Sequence, residues 1–580
     1  MIRALALCAV GAMAVGVARE RPASAPAGAG AVRRAVFTVD CAAPGIAISP
    51  LVYGIGATDA PAWVWDLGAT ARRWGGNAAS RFNWELGSAW NTNQDWFFRN
   101  VPVSPRAGYG YEAFLEENRA HGVASELTAP MLGWVAKDAT SYASPVSALG
   151  PQRASAPDLP DAGDGVRPDG TPLPPDPART SVRSTPASVE RWVRAIRARD
   201  RAVGARRVRA YVLDNEPMLW HETHRDVRSE PLGYDELLER TVAYATAIRR
   251  ADPGATIAGP ASWGWLEMQE SARDRQAGSW LRPDRRRHGD LPLLAWYLRE
   301  LAARERRTGT RLLDVVDVHF YPANEAIGTS ARGGTDPATA ALRIRSTRSL
   351  WDPSYRDESW ITERMRVIPL VREWIARYHP GLGISIGEWN FGAEGHQSGG
   401  LAVAEALGRF GTEGLHSAYY WTYPPLRSPA YWAFRAYRNF DGAGGRFLDR
   451  SVPVTGGAPL ASLFASADPA RRHLVLVLLD HDPAAPLAAR VELGSCGRVA
   501  SVRALAYAGG EAGFRPAAAS AAGTAVDVAA PAYSMTVLDV VLSEGAPVRD
   551  ARSLASTGSA SVPVNARSSA SSARADARHE

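Results

Sequence analysis

From residue 51 onward, short apolar and often β-branched runs recur at 51–56, 69–74, 124–130, 208–213, 255–259, 315–320, 383–387 and 417–421. Between them, apolar positions return at helical spacing over 111–121, 188–201, 234–251, 291–306 and 364–378. Runs too short for helices, separated by amphipathic helical stretches, are the alternation of a parallel sheet with crossover helices. Eight such units predict an α/β fold, a (β/α)8 barrel over residues 51–441.

Beyond residue 442 the period changes to two. The runs 460–465, 473–479, 488–493, 499–508, 525–528 and 534–542 alternate with Gly/Pro turns, which predicts an all-β sandwich over 442–545. Residues 35–39 read as one more strand, upstream of the barrel. The segment 141–186, rich in Pro, Gly, Asp and Ser, is too long for an ordinary connection and is expected to be either functional or disordered. Residues 546–580, mostly Ser, Ala and Arg, lack the apolar content to pack and predict a disordered tail.

The N-terminus is Met-Ile-Arg followed by an apolar run over 4–18 and then small residues. That pattern predicts a signal peptide over 1–25, a spacer over 26–34, and a secreted, extracellular or periplasmic, product. No later run predicts a membrane span, so no membrane association is expected after cleavage. Removal of the leader, which holds Cys8, leaves Cys41 and Cys496 as an even pair.

The formal charge of +6 is confined to the ends. Residues 1–34 carry five arginines against one glutamate, and 549–580 carry five against three acids, which together account for all of it. The body is formally neutral, so a nucleic-acid partner is not expected.

Two predicted strands are followed at once by a carboxylate: Leu213-Asp214-Asn215-Glu216-Pro217 after the fourth and Gly387-Glu388-Trp389-Asn390 after the seventh. In a barrel of this kind the C-terminal strand ends form the active site, and strands four and seven face each other across its mouth. A facing pair of glutamates is what glycoside hydrolysis requires: one acid for the leaving oxygen and one carboxylate for the anomeric carbon. Asn215 can donate to a sugar hydroxyl or orient the nucleophile, and His319, at the end of strand six, can join that network. Trp134, Trp220, Trp351, Tyr355, Trp360, Trp389, Trp421 and Tyr423 fall near predicted strand ends or in long loops, where flat rings stack on sugars. Asp158, Asp161, Asp164 and Asp169 cluster in the 141–186 segment, and Asp161 and Asp164 are candidates for a structural calcium. No zinc spacing, phosphate loop or Gly-x-Ser-x-Gly elbow occurs, so no cofactor is expected for the chemistry.

Together with Arg72-Arg73-Trp74-Gly75-Gly76-Asn77, Phe82-Asn83-Trp84-Glu85, Asp317-Val318-His319-Phe320-Tyr321-Pro322 and Ser346-Thr347-Arg348-Ser349-Leu350-Trp351-Asp352, these two segments resemble glycoside hydrolase family 44 over residues 35–545. The resemblance implies a retaining endo-β-1,4-glucanase, of cellulase or xyloglucanase type, with a barrel and a β-sandwich; a monomer is expected. It implies Glu216 as acid/base and Glu388 as nucleophile. Asn77, Trp84, Trp134, Asn215, His319, Tyr321, Trp351, Trp360, Trp389 and Trp421 are the expected contacts to a β-1,4-linked polysaccharide. Trp389 stands where the family commonly has Tyr, and Gly387 where Thr is common, which bears on subsite detail. The resemblance also implies that residues 35–50 join the sandwich, which would bring Cys41 and Cys496 into one domain, as a disulfide or as two thiols. The competing expectations are a carbohydrate-binding protein without catalysis, and the same chemistry on xylan or mannan.

Overall fold

The computed structural model describes residues 31–329 and 331–543, so the expected leader over 1–25 and tail over 546–580 lie outside the described residues. All eight predicted runs are strands of one closed barrel: Gly54–Ile55, Ala71–Trp74, Ala124–Ala129, Val208–Leu213, Thr256–Ser262, Val315–Phe320, Gly383–Trp389 and Ser417–Tyr420. They pair in parallel in chain order, the eighth closing on the first through Tyr419↔Gly54 and Tyr420↔Ile55. Helices cover the outside and side chains fill the inside, which is why Val315–Phe320 is buried at every position.

The helices begin and end where their side chains dictate. Pro186–Val203 opens with a Thr185/Ser188 capping box and a proline in the first turn, and stops at Gly204 in the left-handed region. The 141–186 segment is ordered: it contains a short helix, Val146–Leu149, a two-stranded piece, Ser155–Ala156 with Leu159–Gly163, and Ser181–Arg183, which pairs with Trp134–Ala136.

The second body is a sandwich of two sheets. One has the order Val454–Gly457, Arg33–Val39, Leu487–Glu492, Ala525–Ala530, Ala519–Ala522; the other runs Ile46–Ala47, Arg450–Val452, Ala461–Ala467, His473–Asp480, Ser534–Leu542, Val499–Tyr507, Arg515–Pro516. The N-terminal strand is therefore internal to its sheet, antiparallel to one neighbour and parallel to the other. Cys41 and Cys496 are bonded, with Cα atoms 4.9 Å apart across 455 residues of chain.

The strand His473–Asp480 explains how the two bodies join. Leu474, Leu476 and Leu478 point into the sandwich core, whereas Val475, Val477 and Leu479 join the barrel's apolar cluster. Alternation along a strand sends successive residues to opposite faces, so a continuous apolar run here means a sheet covered on both sides. The covering element is the barrel helix Gln397–Thr412. At Gly408 an added Cβ would stand 2.5 Å from the Phe464 ring, so only glycine permits that approach.

Candidate active site

Glu216 and Glu388 meet at the mouth of the barrel, held by different devices. Glu388 is the penultimate residue of the seventh strand and is 4 % exposed. Strand alternation turns it inward and turns Trp389 outward. Glu216 follows a backbone turn in which Asp214 (φ 64°) and Glu216 (φ 44°) both adopt the left-handed region. Such residues cost about 1–3 kcal/mol each and persist only where their surroundings hold them. Here the buried Asp214 carboxylate accepts from Ser80 Oγ (2.5 Å), the Asn215 amide (2.7 Å), the Leu132 amide (3.0 Å) and the Met131 amide, while the Glu216 amide donates to Ala261 O at 3.0 Å.

One oxygen of Glu388 accepts from Arg73 Nη1 at 2.6 Å and the other from the Tyr321 hydroxyl at 2.9 Å. His319 Nδ1 stands 2.9 Å from Glu216 Oε1 and 3.6 Å from Glu388 Oε2. One carboxylate oxygen of Glu216 lies within 4.8 Å of one of Glu388. Burial disfavours a charged imidazole, but the Glu388 charge and the Glu216 hydrogen bond outweigh it, so the pKa of His319 is raised.

Arg73, on the second strand and fully buried, ties the pair to a wider network. Besides Glu388 it donates to Gly387 O (3.2 Å) and, through Nη2, to Asn215 Oδ1 (3.0 Å); Asn215 Nδ2 then donates to Asn77 Oδ1 (3.0 Å). Asn77 also hydrogen-bonds the Asp95 carboxyl, which burial pushes up to about 6 against that bond and with the help of the Glu216 charge. The preceding residue, Arg72, points the other way and packs against Trp65 and Phe114.

The expected sugar platforms divide. Trp421 is half-buried at the end of the eighth strand, its ring lying across two glycines: a Cβ would stand 2.5 Å from it at Gly76 (φ 82°) and 2.7 Å from it at Gly56. Trp84 and Trp134 are half-buried, and the Arg183 guanidinium covers Trp134 at 4.0 Å. Trp360 is 58 % exposed. Trp389 is a correction: it is fully buried among Phe391, Phe410, Tyr420 and Phe434, facing the helix layer. Trp351 is another. It packs under Arg409, 3.5 Å from the ring, and the same guanidinium reaches Phe464 of the sandwich, so it belongs to the seam between the bodies.

Asp161 and Asp164, the calcium candidates, are each engaged by protein donors. Asp161 accepts from Tyr142 Oη and the Ser147 amide, both at 2.6 Å, and Asp164 accepts from Arg153 Nε and the Val166 amide, both at 3.1 Å. Among the described residues, the one group of three His, Cys, Asp or Glu close enough to share an ion is Glu216, His319 and Glu388. Sequence reasoning did not assign Arg73, Asp214 or Asp95 to the site. The signal for Arg73 and Asp214 was a charged residue in or beside an apolar strand run, where burial requires a partner.

Comparison with known proteins follows the same lines. The family model described as glycoside hydrolase family 44 matches residues 89–324. Endoglucanase A of Paenibacillus lautus is 30 % identical over 511 residues, covering 81 % of this chain and 67 % of that protein. CelM2, a bifunctional glucanase-xylanase from a metagenome library, superposes with a TM-score of 0.82 at 33 % identity, over 88 % of this chain and 99 % of its own. A family 44 xyloglucanase of Paenibacillus polymyxa gives a TM-score of 0.73 at 25 % identity, over 88 % and 100 %.

Proposed function

The chain belongs to glycoside hydrolase family 44, and from that premise we propose that it is a secreted endo-β-1,4-glucanase acting by double displacement, with Glu388 as nucleophile and Glu216 as acid/base. The observation that carries this reading is the approach of the two carboxyl groups to within 4.8 Å, oxygen to oxygen. Retaining enzymes hold theirs about 5–5.5 Å apart, whereas inverting enzymes leave room for a water.

In the first step Glu388 attacks the anomeric carbon while Glu216 passes its proton to the departing glycosidic oxygen, leaving a glycosyl ester on Glu388. Arg73 and Tyr321 each hold one Glu388 oxygen, which fixes the attacking lone pair. In the second step Glu216, now a carboxylate, takes a proton from water, which attacks the same carbon and frees Glu388. His319, hydrogen-bonded to Glu216, orients the acid and remains positioned as its charge changes.

The names of the similar proteins, endoglucanase, glucanase-xylanase and xyloglucanase, support a glucan substrate. A second reading, the same chemistry on xylan, is favoured by the glucanase-xylanase neighbour. The leader pattern and the Cys41–Cys496 bond support export to an oxidising compartment.

The test is product stereochemistry with two variants. Proton NMR of the first-formed sugar is expected to show the β-anomer. Glu388→Gly is expected to lose turnover and to yield a glycosyl azide of inverted configuration when azide is added. Glu216→Ala is expected to keep its first step on aryl glycosides with good leaving groups. An α-anomer as first product, or identical behaviour of the two variants, removes the assignment.

A further inference from the structure

Beneath the catalytic pair lies a second pair of carboxyl groups that the mechanism above does not use. Glu126, on the third strand, is 2 % exposed and Asp317, on the sixth, is 0 % exposed. Glu126 Oε2 accepts from Tyr419 Oη on the eighth strand at 3.0 Å, and its other oxygen has no hydrogen-bond partner. Neither Asp317 oxygen makes a full hydrogen bond, the Ser385 hydroxyl being the donor that eases its charge, and the carboxyl lies against Gly387 of the seventh strand, where a Cβ would stand 2.4 Å from Oδ1. Only Gly387 leaves room for that carboxyl beside the nucleophile.

The charges facing this pair come from five strands. The second contributes Arg73, the sixth His319, the seventh Glu388 and the neutral Ser385, the eighth Tyr419, and the fourth Glu216, which engages His319. Arg73 is the single permanent cation, and its Nη1 is committed to Glu388. Its Nε has no hydrogen-bond partner and lies 3.9 Å from Glu126 Oε1, outside hydrogen-bond reach. With Arg73 shared with Glu388 and His319 engaged by Glu216, two further full carboxylate charges in this interior would be under-compensated and strongly unfavourable, and such pairs retain a proton.

We infer that Glu126 and Asp317 are a positioning pair that holds one proton at working pH, chiefly on Glu126, and so leaves Arg73 to the nucleophile. Loss of that proton places a full negative charge beside Arg73 Nε, which draws the guanidinium away from Glu388. The pair titrates as a unit. Burial and the Asp317 charge together hold the Glu126 carboxyl up at about 8, against Arg73 and the Tyr419 bond. The inference rests on the assignment of Glu388 as nucleophile.

The test isolates this proton from that of the acid/base. In Glu216→Ala, assayed on an aryl β-glycoside with a good leaving group, glycosylation needs no proton donor, and the remaining alkaline limb of kcat/KM reports the pair. Each profile is normalised to its own maximum. Adding Glu126→Gln is expected to move that limb up by about one pH unit or more, and adding Asp317→Asn to move it down, because it removes the charge that raises Glu126. A limb that stays in place, or moves the same way in both variants, overturns the inference. Infrared spectroscopy in heavy water provides a readout that needs no activity. In full-length Glu216→Gln at neutral pH, a set of buried carboxylic-acid C=O bands is expected, that of Glu267 among them because burial raises its pKa, and one band of the set should vanish when Glu126→Gln is added. Its persistence there also overturns the inference. Failure of the catalytic assignment looks different: Glu216→Ala would be inactive on activated substrates while the infrared result stood.

Discussion

Arg73→Lys keeps the charge beside Glu388, the proposed nucleophile, and removes the geometry. The guanidinium serves Glu388, Gly387 O and Asn215 Oδ1 from two nitrogens at 2.6, 3.2 and 3.0 Å. A lysine ammonium on a shorter reach can keep the first and loses the fork that joins Glu388 to Asn215. Hydrogen bonds from charged donors contribute about 1.5–3 kcal/mol each; with the long Gly387 contact counted as weak, the loss is about 3 kcal/mol. At 1.36 kcal/mol per tenfold, kcat/KM is expected to fall about 10²-fold, most of it in kcat because the orientation matters at the transition state. The assay is initial-rate kinetics on an activated aryl β-glycoside, with circular dichroism and thermal unfolding to establish that the variant is folded at the assay temperature. A folded variant within about threefold of the parent kcat/KM would refute the orienting role.

Reduction of Cys41–Cys496, or its replacement by two serines, is expected to cost about 2–4 kcal/mol, lowering the calorimetric midpoint by about 2–4 °C for a body of this size; an unchanged midpoint would mean that strand pairing alone fastens the N-terminal segment. Trp389→Ala is expected to lower unfolding free energy by about 3–5 kcal/mol, whereas Trp421→Ala should chiefly raise KM for oligosaccharides. The reverse pattern in denaturant titration and kinetics would contradict their placement in the core and in the cleft.

Much of the fold was legible because burial leaves a periodic trace. All eight barrel runs and the change to period two after residue 442 correspond to strands in the structure. The meeting of Glu216 and Glu388, the proposed catalytic pair, was legible because carboxylates after apolar strands stand out against that pattern. Trp389 was misread by proximity: it follows Glu388 by one position, and in a strand one position means the opposite face. Trp351 was misread because a tryptophan in a polar segment looks the same at a seam as in a cleft. Arg73, Glu126 and Asp317 owe their roles to partners on other strands, Arg73 and Glu388 being 315 positions apart. Spacing along the chain carries no record of such pairings.

The internal position of the strand Arg33–Val39 has a consequence for the order in which the protein is made. Its parallel neighbour, Leu487–Glu492, leaves the ribosome some 450 residues later, an interval of roughly 20–90 s at about 5–20 residues per second. During that interval every barrel strand can emerge and pair, while the first strand waits with both edges open until Val454–Gly457 arrives on one side, and with the other edge open to the end. The barrel is thus an insertion that the nascent chain must complete before the sheet around its own beginning can close. Cutting away Arg33–Val39 would take an inner strand from that sheet, and a tag fused just ahead of it would lie beside the last part of the protein to assemble.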